Sequence, residues 1–350
     1  MTAAAGRAVP ATMRAAVQRG PRQLAVEEVP VPVPGPGQLL VRVLAVGTCG
    51  SDVHFYEHGE LGGFRADGPL ILGHEPSGVI VATGPGSTRR SLNERVSIEP
   101  GTCCGRCEQC RAGRYNLCPA MHFYAVPGQA DGAFAEYVLA HEDFVHPVPD
   151  GVSDEAAALL EPLSVAVWAC RKARVAPGDR VLVTGAGPIG LVALQSARAF
   201  GAQEVVVSDV NPHRLALARE LGATEVVNVA ERPLAEAGFA PDVLLECSGS
   251  GAATTEAVHQ VARAGRVVLV GMGGDEVTLP LARLQNYELE VTGTFRYART
   301  WPTALALVTS GTVDLDRLVT HRYGLADAER ALTAGAREPD AVKAVVLPQK

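Results

Sequence analysis

The stretch Val181-Leu-Val-Thr-Gly185-Ala-Gly187-Pro188-Ile189-Gly190 decides the fold of this chain. A short aliphatic run leads directly into three glycines, and Leu191 to Phe200 then carries apolar residues at helical spacing, which reads as strand, turn and helix. In that setting the first glycine provides a tight turn, the second lets backbone approach a pyrophosphate, and the third packs the helix onto the sheet. At the end of the next aliphatic run, nineteen residues beyond Gly190, stands Asp209. A carboxylate there accepts hydrogen bonds from an adenosine ribose and repels a 2′-phosphate, so the spacing favours NAD over NADP. Arg214 has two readings, stacking on the adenine or lying along a solvated helix face.

Further along, Val205-Val-Val207, Val226-Val227, Val243-Leu-Leu245, Val267-Val-Leu-Val270 and Leu289-Glu-Val291 recur with helical stretches between most of them. Continuous aliphatic strands alternating with helices predict an α/β unit, a doubly wound parallel six-stranded sheet covered on both faces. A further helix is expected over Leu215 to Leu221, with Gly201 and Gly222 in helix-terminating positions. Upstream, as far as about Val152, Leu39 to Val46, Gly78 to Ala82 and Arg95 to Ile98 read as strands of an irregular β-rich domain. Pro30 to Pro36 reads as a stiff surface loop. After Gly293, helices are expected at Trp301 to Thr309 and Ala326 to Ala334, then a last strand at Lys343 to Leu347. This tail is expected to return to the first domain, so that 1–155 and 295–350 form one domain and 156–294 the other.

Composition narrows the function. The 350 residues are 47% hydrophobic and 20% charged, which suits packed cores and, at roughly 150 residues per domain, about two domains. A net charge of −7 supplies no broad positive field, which argues against nucleic acid or an anionic membrane surface as partner. The longest apolar stretch, Ala156 to Cys170, is broken by Glu161 and Pro162, short of the ~20 uninterrupted residues that span a bilayer. Met1 to Thr12 lacks the apolar centre of a secretory signal and reads as a loose leader on a cytoplasmic protein.

Of eight cysteines, five fall between Cys103 and Cys118, and in a reducing compartment such a cluster points to metal rather than disulfides. Cys104, Cys107, Cys110 and Cys118, with gaps of 3, 3 and 8, bring four thiolates to one Zn²⁺ with no position left for substrate. Such a metal is structural and ties down a lobe, at about 100–120, that has no apolar core of its own. Cys103 is left out because a set beginning there loses the repeated two-residue spacers.

A second donor set is Cys49, in Gly47-Thr-Cys-Gly-Ser51-Asp-Val-His54, followed twenty-five residues later by His74-Glu75. Thiolate, imidazole and carboxylate together suit a catalytic zinc that keeps one position open. Glu161, in Leu159-Leu-Glu-Pro-Leu163, is a charge in an apolar segment. A buried carboxylate is costly without a metal, a metal-bound water or a cationic partner. Cys170, nine residues on, reads as core.

Cys49-Gly-Ser-Asp-Val-His54, Gly73-His-Glu75, Ile98-Glu-Pro-Gly101, Gly113-Arg-Tyr-Asn-Leu117, Glu161-Pro-Leu-Ser-Val165, the glycine motif and Phe295-Arg-Tyr297 with Trp301-Pro302 follow one another in order. With them the chain resembles the zinc-dependent medium-chain dehydrogenases, and within these the sorbitol (polyol) dehydrogenase group, from about Met13 to Leu347. The resemblance implies a GroES-like β-rich catalytic domain around a Rossmann domain, and two zinc ions per chain. Of these, one is structural and one catalytic, the latter on Cys49, His74 and a glutamate. Whether Glu75 or Glu161 ligates directly stays open.

The resemblance further implies that Gly185, Gly187, Pro188, Ile189, Gly190, Asp209, Arg214, Val270, Gly271, Met272, Thr294, Phe295 and Arg296 contact NAD. Glu161, Arg296 and Tyr297 would face a polyol, with Ser51 and His54 carrying a proton outward. The group often has Tyr after the His of the Cys-Gly-Ser motif; here Phe55 stands there with Tyr56 next, so one substrate hydroxyl loses a donor. The implied reaction is oxidation of a secondary hydroxyl of a sorbitol- or xylitol-like polyol to a ketose by a homodimer or homotetramer. Cyclitols, amino-cyclitols, L-idonate-like sugar acids and L-threonine are alternatives within that class, and an inactive NAD-binding scaffold is the alternative outside it.

Overall fold

The computed structural model describes residues 9–350. Residues 1–8 of the leader expected over Met1 to Thr12 lie outside the described residues. The chain divides into two compact units, one reaching to Glu161 and resuming over Val319–Lys350, the other Pro162–Leu318.

The second unit holds six parallel strands in the order Glu225–Asn228, Glu204–Asp209, Arg180–Thr184, Val243–Glu246, Arg266–Leu269, Glu290–Gly293. Aliphatic runs form these strands because both faces are covered: Val181, Leu182, Val183, Val205 and Val207 have no exposed surface. Strand order reverses between Arg180–Thr184 and Val243–Glu246, and the glycine loop after Thr184 opens at that switch, where doubly wound sheets receive ligands. The flanking helices run Pro188–Ala199 and Pro212–Glu220, each opening three residues before its first periodic residue. Proline sits in each first turn, where its missing N–H leaves no bond unmade. They end ahead of Gly201 and Gly222.

Contacts set the division at 161/162 and 318/319, whereas the sequence reading set it at 155/156 and 294/295. Side chains that carry no periodic pattern make the difference. Gln195 accepts from the Asp314 N–H at 2.7 Å and donates to the Asp314 carbonyl at 3.2 Å. Arg171 donates to the Arg299 carbonyl at 2.8 Å and the Thr303 hydroxyl at 2.7 Å. Residues 295–318, with the Trp301–Thr309 helix, therefore stay with the six-stranded sheet.

The first unit is built on a seven-stranded sheet. Its main path runs Val145–Pro147, Arg95–Ile98, Glu75–Thr83, Gln38–Gly47, Lys343–Leu347, Val319–Gly324, and Tyr137–His141 also pairs with Gln38–Gly47. Its core gathers Leu39, Val41, Ile80, Ile98 and Phe134. Register matters most at one end of Gln38–Gly47: Gly47 lies opposite Glu75 on one neighbour and Val345 on the other. Strands far apart in sequence thus bring Gly47, Glu75 and Lys343 to one place. The parallel pair Val319–Gly324 and Lys343–Leu347 is bridged by the Ala328–Arg337 helix. Among the described residues no helix is long and apolar enough to cross a membrane.

Candidate active site

The Gly50–His58 helix begins from Cys49, whose extended backbone makes it the N-cap. Asp52, at the third helical position, accepts from the Cys49 N–H at 3.1 Å, which fixes the carboxylate's direction. Its other oxygen accepts from the Gly73 N–H at 3.0 Å and faces His74 Nδ1 at 3.3 Å. A carboxylate on one ring nitrogen sets the imidazole's orientation and leaves the other nitrogen free for a metal. One donor atom each of Cys49, His74 and Glu75 lies within 4.8 Å of the other two.

Burial opposes a charged imidazole at His74, yet Asp52 and Cys49 overcome it and hold this group well above its ordinary range. The field that favours a proton there favours any cation. A set of sulfur, imidazole and carboxylate is of borderline softness and suits Zn²⁺. The residues present therefore fit a zinc ion.

Glu75 is 1% exposed, and beside it stands a lysine that sequence reasoning missed. Lys343 Nζ lies 2.7 and 2.6 Å from the two Glu75 oxygens and donates to the Thr48 carbonyl at 2.6 Å. Burial would neutralise this amine, but Glu75 and Cys49, with a further contribution from Glu161, raise it above its normal range and keep it charged. Burial in turn raises Glu75, with Lys343 pulling the other way. Gly47 makes room for the pair, since a Cβ there would sit 1.9 Å from Glu75 Oε2 and 3.0 Å from Lys343 Cε. The chain has only three lysines, at 172, 343 and 350, so a lysine opening a buried aliphatic strand was the available signal.

Ser51 donates to Cys49 Sγ at 3.3 Å, and His54 lies one helical turn along, half-buried with its ring 5.9 Å from that of His58. Glu161 is buried and near enough to act on Lys343, but it does not join the donor trio. Phe55 is buried, and the Tyr56 hydroxyl donates to Glu329 at 2.6 Å, so Tyr56 does not supply the donor that Phe55 lacks.

The four cysteines of the lobe also come together, with donor sulfurs within 4.8 Å of one another, and none of the eight cysteines is in a disulfide. Between residues 102 and 120 only Asn116 and Cys118 are buried, so apolar burial cannot hold this lobe. The N–H groups of Cys104, Cys107 and Cys110 donate at 3.4 Å to the sulfurs of Cys118, Cys104 and Cys107. N–H donors from Arg106 and Cys107 bring the Cys104 thiol down to about 6, while burial pushes Cys110 up. An all-sulfur tetrad that already attracts N–H donors fits a closed structural zinc.

In the second unit, the Gly190 position is forced by contact: a Cβ there would lie 1.7 Å from the Gly185 carbonyl oxygen. Gly187 caps the Pro188–Ala199 helix with open space beside it, leaving its N-terminus free for a phosphate, with Ile189 in the first turn. Asp209 ends its strand and accepts from the N–H groups of Ala186, at 2.5 Å, and Asn211, at 2.8 Å. Its carboxylate thereby braces the glycine loop, with lone pairs to spare. Asn211 caps the next helix by accepting from the N–H groups of His213 and Arg214.

Val270 and Gly271 both donate to the Glu246 carbonyl at 2.8 Å, and Met272 beyond them is exposed. Glu246, another residue that sequence reasoning passed over, is buried and accepts from the N–H groups of Ser248 and Gly249. Thr294 donates through its N–H to the Leu269 carbonyl, and the Arg296 guanidinium lies 4.7 Å over the exposed Phe295 ring. Tyr297 is buried edge-on against Trp301. Cys170 is fully buried, as core.

Residues 35–150 match the family of alcohol dehydrogenase GroES-like domains, and residues 188–310 the zinc-binding dehydrogenases. A sorbitol dehydrogenase of Bacillus subtilis (strain 168) is 39% identical over 98% of this chain and 99% of its own. The L-idonate 5-dehydrogenase structure from Escherichia coli K-12 superposes with a TM-score of 0.90 at 30% identity, covering 96% of this chain and 98% of that one. A zinc-binding dehydrogenase structure from Sinorhizobium meliloti 1021, bound to NADP, superposes with a TM-score of 0.89 at 31% identity, over 97% and 100% of the two chains.

Proposed function

Because the chain belongs to the zinc-dependent medium-chain dehydrogenases, in the sorbitol dehydrogenase group, we propose that it oxidises a secondary hydroxyl of a sorbitol- or xylitol-like polyol with NAD⁺, giving a ketose. The observation that carries this reading is the buried trio Cys49, His74 and Glu75, braced by Asp52 and Lys343. When bound, zinc supplies the Lewis acidity that brings a hydroxyl's pKa toward neutrality, and the nicotinamide accepts the hydride.

Cys49, His74 and a glutamate would hold the catalytic zinc, and Cys104, Cys107, Cys110 and Cys118 the structural one. Glu75 is favoured over Glu161 as the carboxylate, since its oxygen stands with the sulfur and the imidazole. Ser51 and the cofactor ribose would relay the proton of the substrate hydroxyl outward, each releasing its own hydroxyl hydrogen as it receives one, and His54, one turn along the same helix and half-buried, would deliver it to water. Asp209 accepts from the ribose hydroxyls, the Pro188–Ala199 N-terminus receives the pyrophosphate, and Val270 to Met272 and Thr294 to Arg296 flank the cofactor. Arg296 and Tyr297 hold neighbouring substrate hydroxyls, which separates a polyol from a simple alcohol. A sugar acid of the L-idonate kind is the second reading, favoured by the match to L-idonate 5-dehydrogenase and by the cationic Arg296.

The deciding experiment is NADH or NADPH formation from a panel of polyols, sugar acids and simple alcohols. Polyol turnover with NAD⁺ and two zinc per chain are expected; turnover of simple aliphatic alcohols alone would reject the substrate class. Asp209→Ala is expected to shrink the preference for NAD⁺ over NADP⁺ about tenfold, the scale of one lost charge-assisted hydrogen bond. A ratio left unchanged would remove Asp209 from that role.

A further inference from the structure

A third group of donor side chains lies apart from both zinc sets, on the Val319–Gly324, Ala328–Arg337 and Lys343–Leu347 unit. His321 comes from the first strand, Glu338 caps the C-terminal end of the helix, and Asp340 lies in the turn before the second strand. One donor atom of each lies within 4.8 Å of the other two. His321 Nδ1 is 2.9 Å from the Thr320 hydroxyl oxygen, which donates to the Lys343 carbonyl and accepts from the Val342 N–H.

His321 Nε2 faces Glu338 Oε2 at 2.8 Å. Asp340 adds a second carboxylate, so that one nitrogen and two carboxylate oxygens converge on one point. The far oxygen of Glu338 accepts from the Tyr323 hydroxyl at 3.1 Å, and the Tyr323 ring stacks on that of His321 at an interplanar angle of 12°. The nearby Arg330 is engaged with Asp327 and the Tyr323 ring. The partial negative charge of the helix C-terminus adds to the attraction for a cation.

We propose that His321, Glu338 and Asp340 bind a third divalent cation of the borderline class, Zn²⁺ or Ni²⁺, tying both strands to the helix that bridges them. One nitrogen and two oxygens suit such an ion, with water completing its shell. Tetrahedral ligation at 2.0–2.2 Å separates nitrogen and oxygen by roughly 3.3 Å, so His321 and Glu338 part by a few tenths of an ångström, which a carboxylate 41% exposed allows.

The test adds Ni²⁺ to the holoenzyme with its resident metals in place and follows uptake by equilibrium dialysis with metal analysis. One additional Ni²⁺ per chain is expected, with affinity falling at least tenfold in Asp340→Asn and further in His321→Ala, and unchanged in His259→Ala, a control at an exposed histidine. Asp340 is exposed and its amide isosteric, so that variant reports even where His321→Ala fails to fold. No uptake beyond the resident metals would leave a plain His321–Glu338 ion pair and overturn the site. Uptake that Asp340→Asn leaves unaltered would mean an adventitious ion only.

Discussion

The glycine loop and the donor trio both depend on a glycine pressed against a neighbour, yet they are assembled in opposite ways. The loop is local: Arg180 to Arg214 supply the strand, the turn, the bracing Asp209 and the caps of two helices. In contrast, the trio is drawn from positions 49, 74 and 75, with its bracing lysine at 343, and exists only because the Gln38–Gly47 strand pairs on both sides. A site built locally stands once its strand and helices form, whereas one built across a sheet has to be held by buried charge.

The sharpest way to break that contrast is Lys343→Met. Removing one member of a buried ion pair leaves the other uncompensated and costs about 3–5 kcal/mol, while replacing both members together is close to neutral. Urea unfolding of Lys343→Met is expected to show a loss of that size. Adding Glu75→Met should recover most of it without recovering activity, because the carboxylate is also a candidate ligand. Equal stability for the single and double variants would mean that the pair carries no structural load.

Gly190→Ala probes the local site. The new Cβ meets the Gly185 carbonyl, which is backbone and cannot swing aside as a side-chain tip would. Overpacking of this kind costs about 1–3 kcal/mol. Thermal unfolding should register it, together with a raised KM for the cofactor and an unaltered zinc content. Lost zinc would show that the two sites are not independent.

Asp52→Asn acts on metal affinity more than on stability. Outer partners of a ligating histidine are typically worth 10–100-fold in metal binding. Competition with a chelator should show a loss in that range at the Cys49 site and none at the four-cysteine lobe. Equal loss at both would mean that the effect is general unfolding.

The same contrast explains what could be read from the sequence. The six parallel strands, the glycine turn, Asp209 and the four-cysteine set were legible because spacing along the chain encodes them, whereas Cys49, His74 and Glu75 were legible as residue types within motifs, with Glu161 left beside Glu75 as the alternative carboxylate. Asp52 sat inside a quoted motif but acquires its role only when Gly73 and His74 arrive from the connection that precedes the Glu75–Thr83 strand. Lys343 looked like the first residue of a last strand, and nothing local says that its ammonium meets Glu75. Residues 295–318 were assigned to the first domain because Gln195 and Arg171, which hold them elsewhere, lie over a hundred positions upstream. The Phe55 substitution was visible, but only the Tyr56–Glu329 bond shows that the neighbouring tyrosine does not compensate.

The smallest expected effect comes from Asn211→Ala, which separates two jobs at one position of the loop. The Asn211 side chain caps the Pro212–Glu220 helix, while its backbone N–H, which the substitution keeps, holds Asp209. Loss of a helix cap costs about 1 kcal/mol. Thermal unfolding should therefore fall slightly while the ratio of NAD⁺ to NADP⁺ activity stays as it was, since the Asp209 carboxylate keeps both N–H donors. A changed ratio would mean that the cap, and not only the acid, sets the position of the Asp209 carboxylate, and the glycine loop would then be less self-sufficient than its local assembly implies.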